Sequence, residues 1–197
     1  MSNRQRFQDA GLGPDWPRRQ LTYRGSLCTV SEMPEASDAP AKIEALGAYW
    51  ESLAGGGVPE RAALDIAQIL PLLPFVMLIE FERDPFVVRY RLTGTKIDDW
   101  VGMNVTGRTL NEFLPGDRTG SSAYLMACYE KCWRTAKPVI GAYDWPSVAG
   151  NPLRIWFGIY PFSIGGEVRQ FLVVEDFGAV PDNAEPLPWL DPHTDEK

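Results

Sequence analysis

The sequence predicts an α+β fold: a five-stranded antiparallel sheet with short helices on one face and an N-terminal amphipathic helix. Segment order is the first reason. Two strand-like runs at 75–82 and 86–93 precede a stretch of helical pieces, and three more follow it at 138–145, 152–162 and 167–177. Turn chemistry is the second. Asp84-Pro85, Gly150-Asn151 and Gly165-Gly166 separate consecutive runs, so neighbours in sequence are expected to pair antiparallel. Helices inserted between the two strand groups must then cover a face of the sheet.

The ordered body is expected from Ala41 to Phe177, between a flexible segment at 1–40 and a flexible tail at 178–197. Pro14, Pro17, Pro34 and Pro40 punctuate the first segment, and its early arginines read as a solvated tail rather than a basic arm. The body opens with a helix whose Ile43, Leu46, Trp50 and Leu53 form one apolar stripe, stopped by Gly55 to Gly57. A second short helix, 63–70, is expected to end at Pro71. In the first strand Phe75, Met77, Ile79 and Phe81 share a face, with Glu80 and Glu82 on the other. Phe86, Val88, Tyr90 and Leu92 match them in the second, with Arg89 and Arg91 opposite, so Glu80 should face Arg89 across the pair.

Gly94 then turns the chain into a helix, where a positive φ is expected. Thr95 is the expected N-cap, with Asp98 and Asp99 in the first turn. A turn through 104–109 and a short piece at 110–115 follow, where Arg108 is placed to bind Asp98, Asp99 or Glu112. In the longer helix, 120–136, Tyr124, Leu125, Cys128, Tyr129, Cys132 and Trp133 make a wide buried stripe. Cys128 and Cys132, one turn apart, could make a redox pair but read better as small core residues.

Composition narrows the function. Nineteen Lys and Arg against 26 Asp and Glu, a net charge of −7, disfavour nucleic acid and anionic membrane surfaces as partners. The longest apolar stretch, Ile69 to Ile79, is broken by Pro71 and Pro74 and is too short to span a bilayer. The N-terminus lacks an apolar h-region and the three cysteines cannot pair completely, which together predict a cytoplasmic protein. The single histidine, His193, lies in the tail, so a histidine-based triad, a zinc centre and histidine-ligated haem are all disfavoured. Glu175 and Asp176 point to opposite faces of one strand, and Asp98 and Asp99 diverge on a helix, so neither pair makes a catalytic dyad. A non-enzymatic protein without a metal is expected.

The stretch 48–82, with Tyr49-Trp50, Pro59-x-Arg61, Asp65-Ile66 and Leu73-Pro74, carries a family signature. So does the run Arg89-Tyr90-Arg91-Leu92, Gly94-Thr95-x-Ile97 and Thr106-Gly107-Arg108. On these residues the chain resembles the stand-alone PAS-like proteins found mainly in alphaproteobacteria, over roughly 41–177. The resemblance implies a PAS fold and a sensory or interaction role, and it names no ligand or cofactor. In the flavin photoreceptors of the wider superfamily a reactive cysteine sits in a stretch resembling Gly102-Met103-Asn104-Val105; here that position is Val105, so no photoadduct is expected.

Two readings follow. In the first, a small molecule binds between sheet and helices, where Tyr90, Trp100, Tyr129, Trp133, Trp156 and Tyr160 are the candidate lining, and the protein signals through protein contacts. In the second, the same aromatics simply fill a core and the domain docks, ligand-free, on a signalling partner. Gly94, Thr95, Thr106, Gly107 and Arg108 are the expected structural motif. The charged outer face is expected to cover only part of the Ile43, Leu46, Trp50 and Leu53 stripe, so a homodimer through that helix is the expected assembly.

Overall fold

The computed structural model describes residues 21–23, 26–28, 40–114, 120–145 and 153–178. Within the segment expected to be flexible, β1 (Leu21–Tyr23) pairs antiparallel with β2 (Ser26–Cys28), a pairing the sequence reading did not anticipate. The tail from 179, with His193, and the Gly150-Asn151 turn lie outside the described residues.

Five strands form one antiparallel sheet: β3 (Val76–Arg83), β4 (Phe86–Thr93), β5 (Val139–Trp145), β6 (Leu153–Ile164) and β7 (Glu167–Asp176). Their spatial order is β4-β3-β7-β6-β5. The last strand therefore enters the middle of the sheet between the two strand groups, which makes β7 the most central element. Gly165 and Gly166 both have positive φ, 63° and 82°, the conformation that a two-residue hairpin turn between β6 and β7 requires.

Among the described residues three α-helices pack on the sheet: α1 (Ala41–Ala54), α2 (Thr95–Val101) and α3 (Ser121–Thr135). The expected helix at 63–70 is instead a 3₁₀ path, at Arg61–Ala63 and then Ile66–Phe75, running through Pro71 and Pro74 with a break at Ile69. Each proline lacks an amide donor, so an α-helical ladder fails here and short three-residue turns replace it. Leu92 also departs from expectation. A bulge pairs Leu78 with Leu92 and Ile79 with Tyr90, leaving Arg91 as the extra residue, and Leu92 is 52% exposed.

The sheet buries both faces. On the inner face Met77, Ile79, Val88, Phe157, Phe171 and Val173 pack under α3 and the helical insertion. On the outer face Val76, Tyr160, Phe162, Leu172 and Val174 receive α1. The charged outer residues expected from the sequence are confined to the β3–β4 end. Glu80 faces Arg89 in register as expected, yet the ion pairs run diagonally, Arg89 to Glu82 at 3.5 Å and Arg91 to Glu80 at 3.8 Å.

The apolar half of that face changes the reading of α1. Ile43 and Leu46 are fully buried, Trp50 is buried and Leu53 is partly buried against the same cluster, all within one chain. The Trp50 indole Nε1 donates to the Pro161 carbonyl at 2.7 Å, and the Tyr160 hydroxyl donates to the Ile43 carbonyl at 2.7 Å. A Cβ on Gly47 would stand 3.1 Å from the Tyr160 hydroxyl, so glycine lets the helix seat on that ring. The docked helix thus has its stripe covered, and the incomplete coverage that argued for a helix-paired homodimer is absent.

Candidate functional site

A cavity of about 60 Å³ remains between the inner face of the sheet and the helical insertion. The sheet supplies Met77 from β3, Tyr90 from β4, Tyr143 and Trp145 from β5, and Glu175 from β7. The insertion supplies Ile97 and Val101 on α2, then Val105, Leu110 and Phe113. Ser121, Ser122 and Leu125, at the start of α3, close the remaining side. The volume suits several water molecules or a ligand of a few non-hydrogen atoms, at roughly 10–15 Å³ per water on the same measure.

The motif residues build this wall. Gly94 has φ −73° and extended backbone, not the positive φ expected. Its role is close approach: a Cβ would lie 2.3 Å from the Pro74 carbonyl oxygen and 2.4 Å from that of Leu73. Gly94 is also the N-cap residue, which moves Thr95 into the first turn of α2 rather than the cap. The Asp98 carboxylate accepts from the Thr93 hydroxyl at 2.8 Å and from the Val105 amide at 3.3 Å, tying α2 to the turn that follows it.

Thr106 and Thr93 share a hydroxyl contact at 2.9 Å. Gly107, at φ 87°, donates its amide to the Tyr90 carbonyl at 2.6 Å, and the Tyr90 amide donates to the Arg108 carbonyl at 3.0 Å. Residues 106–108 therefore cover the edge of β4 and fix the backbone of Tyr90, a cavity residue. Of the three carboxylates proposed for Arg108 it takes Glu112, at 3.1 Å, and its guanidinium lies 4.9 Å from the centre of the Phe113 ring.

Electrostatically the cavity is dominated by one group. Phe171, Val173 and Glu175 alternate on the inner face of β7, and Glu175 is only 6% exposed. Its Oε1 accepts from the Tyr143 hydroxyl at 2.9 Å. Among the described residues no cation pairs with it. Burial pushes its carboxyl up to about 7, and the Tyr143 hydrogen bond only partly offsets that. Burial also raises the Tyr90 phenol well above its ordinary value, and the Glu175 charge adds to the shift. Tyr129 is raised in the same way, by burial first and then by Tyr90 and Glu175.

Of the six aromatic residues expected to line a pocket, Tyr90 does so. Tyr129 is buried in the core on α3 and is not among the cavity-lining residues. Trp133 stacks on Phe86, 5.6 Å between ring centres, and Trp100 stacks on Phe177 at 4.5 Å. Trp156 and Tyr160 belong to the outer cluster under α1, because on β6 the inward set is Ile155, Phe157 and Ile159. Sequence reasoning missed Glu175, Tyr143 and Trp145. The signal for Glu175 was its place in the Phe171, Val173 alternation, a carboxylate on a core face.

Cys128 and Cys132 sit in the same core. Burial pushes the Cys128 thiol up to about 12 and Cys132 well above its usual range, so both are neutral thiols rather than nucleophiles. Among the described residues no group of three or more His, Cys, Asp or Glu is placed to hold a metal ion. Among the described residues no cysteine or histidine lines the cavity, and Val105 occupies its wall. None of the described helices is long and apolar enough to cross a membrane.

No curated protein sequence matches the chain. Among solved structures it is similar to one described as the structure of an RNA-binding light-oxygen-voltage receptor, at 16% sequence identity and a TM-score of 0.34. That match covers 51% of this chain and 28% of the receptor chain. The sheet order, the helical insertion and the glycine-built turn that closes it agree with the family match, which spans residues 39–163, and on that match the chain belongs to the PAS domain family.

Proposed function

We propose that the protein is a cytoplasmic, non-enzymatic PAS sensor that binds a small molecule in this cavity and signals through protein contacts. The observation that carries the reading is a cavity with a buried carboxylate, Glu175, that has no cation partner among the described residues. Packing alone gives no reason to bury such a group, since an unpaired carboxylate opposes folding.

A contact path supports transmission to the surface. Ile97 and Val101 of α2 line the cavity, and Trp100 of the same helix stacks on Phe177. Phe177 follows Asp176, whose carboxylate holds Lys42 of α1 at 2.9 Å. Phe177 also meets Phe75, whose ring lies 4.6 Å from the Lys42 ammonium. A ligand that displaces α2 thereby bears on the anchor of α1. Releasing α1 would expose Ile43, Leu46 and Trp50, an apolar surface for a partner protein or a second copy.

Native mass spectrometry of the protein purified from its own host tests the reading. A stoichiometric extra mass that is lost on denaturation is the expected result. A bare chain mass would favour the second reading, a ligand-free module docking on a signalling partner, for which exposed Ile66 and Leu70 on the 3₁₀ path offer apolar surface.

A further inference from the structure

The chemistry of the cavity narrows the ligand class. This step rests on reading the cavity as a ligand site. Among the described residues that line it there is no Lys, Arg or His, so none of them compensates a ligand carboxylate or phosphate. The one carboxylate among its described lining residues is Glu175, with Oε1 engaged by Tyr143 and with Oε2 lacking a hydrogen-bond partner among the described residues. Tyr90, Phe113, Tyr143 and Trp145 put aromatic rings around the same space. A carboxylate beside several π faces is the combination that stabilises a desolvated positive charge.

We propose that the cavity takes a small organic cation, an alkylammonium whose charge lies against Glu175 and whose hydrocarbon part lies among the aromatic and aliphatic walls. A neutral alcohol would leave the carboxylate uncompensated, and an anion would add repulsion to it. The size fits: about 60 Å³ admits a few non-hydrogen atoms.

The assignment has a pH signature. The groups facing Glu175 are the phenols of Tyr143 on β5, Tyr90 on β4 and Tyr129 on α3, all raised by burial and neutral near pH 7. The cavity residues from β3, α2 and the segment 110–113 carry no charge. Glu175, at about 7 in the empty protein, is thus the group that titrates in the working range. An alkylammonium stays charged there, near the lysine value of about 10.4, so its affinity rises with pH through 7 and levels off above it.

Propylammonium, 1-propanol and propanoate match in size and differ in charge. Each is titrated into the full chain at pH 8 and pH 5.5 by calorimetry, with the thermal midpoint as a second readout. Propylammonium is expected to bind best at pH 8, at least ten-fold more weakly at pH 5.5, and at least ten-fold more weakly to Glu175→Gln. The wild-type charge series and pH dependence stand even if that variant folds poorly. Propanol or propanoate binding as well as propylammonium overturns the cation assignment while leaving a ligand-binding cavity. So does undiminished propylammonium binding to a folded Glu175→Gln. Binding by none of the three overturns it as well, and the sensing reading is then decided separately by the mass of the host-purified protein.

Discussion

Glu175 and Asp176 are neighbours on β7, both almost wholly buried, and the sheet sends them to opposite worlds. Asp176 faces outward and finds the Lys42 ammonium at 2.9 Å, the Lys42 amide at 3.3 Å and the Gly178 amide at 2.9 Å. Burial pulls its pKa up, but those hydrogen bonds outweigh it and hold the carboxyl below its ordinary range. Glu175 faces inward to a single phenol and a cavity, and burial wins. One face is complete within the chain; the other carries an unmet electrostatic demand. That difference separates a structural carboxylate from a candidate ligand group, although composition treats the two alike.

The largest test breaks the inner wall. Gly94→Val puts a branched side chain where a Cβ already overlaps two backbone carbonyls, within 2.4 Å. A loss above about 4 kcal/mol, or failure to fold, is expected. An unchanged thermal midpoint would show that this approach is not required. On the complete outer face, Leu46→Ala removes a fully buried side chain from the α1 seat and should cost about 2–5 kcal/mol by denaturant unfolding. A cost below about 1 kcal/mol would mean that α1 is not docked as described.

The two carboxylates should then respond to pH in opposite senses. Glu175 is raised from 4.5 to about 7 on folding, so its contribution favours the folded state most below 4.5 and is lost as pH rises through 7. Glu175→Gln should therefore be more stable than wild type at pH 8, by up to about 3 kcal/mol, with the gap closing near pH 5. Equal stability profiles at both pH values would contradict an unpaired charge. Asp176 is lowered on folding, so its contribution is present above the unfolded carboxyl value and is lost as pH falls through the folded one. Asp176→Asn should cost about 1–2 kcal/mol at pH 7, a modest figure because the Lys42 side chain is 31% exposed and solvent screens it. A stabilised Asp176→Asn protein would place both carboxylates in the same class.

The sequence carried the fold further than the site. Alternation and turn residues located every strand of the sheet and the Gly165-Gly166 hairpin, because those signals are local. It could not distribute the outer face: Val76, Tyr160 and Leu172 come together only through the β3-β7-β6 order, so the apolar seat for α1 within one chain was invisible. Gly94 was found for the wrong reason, since the backbone it touches at Leu73 and Pro74 lies twenty residues away. Arg91 shows the limit of alternation, where one bulged residue turned Leu92 outward. The candidate site was legible in Tyr90 alone. Its defining property, a carboxylate without a cation, depends on which long-range partners are missing, and that is a property of the assembled sheet.

The central claim is that Glu175 is buried without a compensating charge in the empty cavity. Carbon-13 NMR of the glutamate side-chain carboxyls, assigned through Glu175→Gln, reads this directly across pH 4 to 9. The account predicts that the Glu175 carboxyl titrates near 7 in ligand-free protein. A midpoint in the ordinary range, about 4–5, would show that solvent or an unseen cation already meets the charge, and would contradict it.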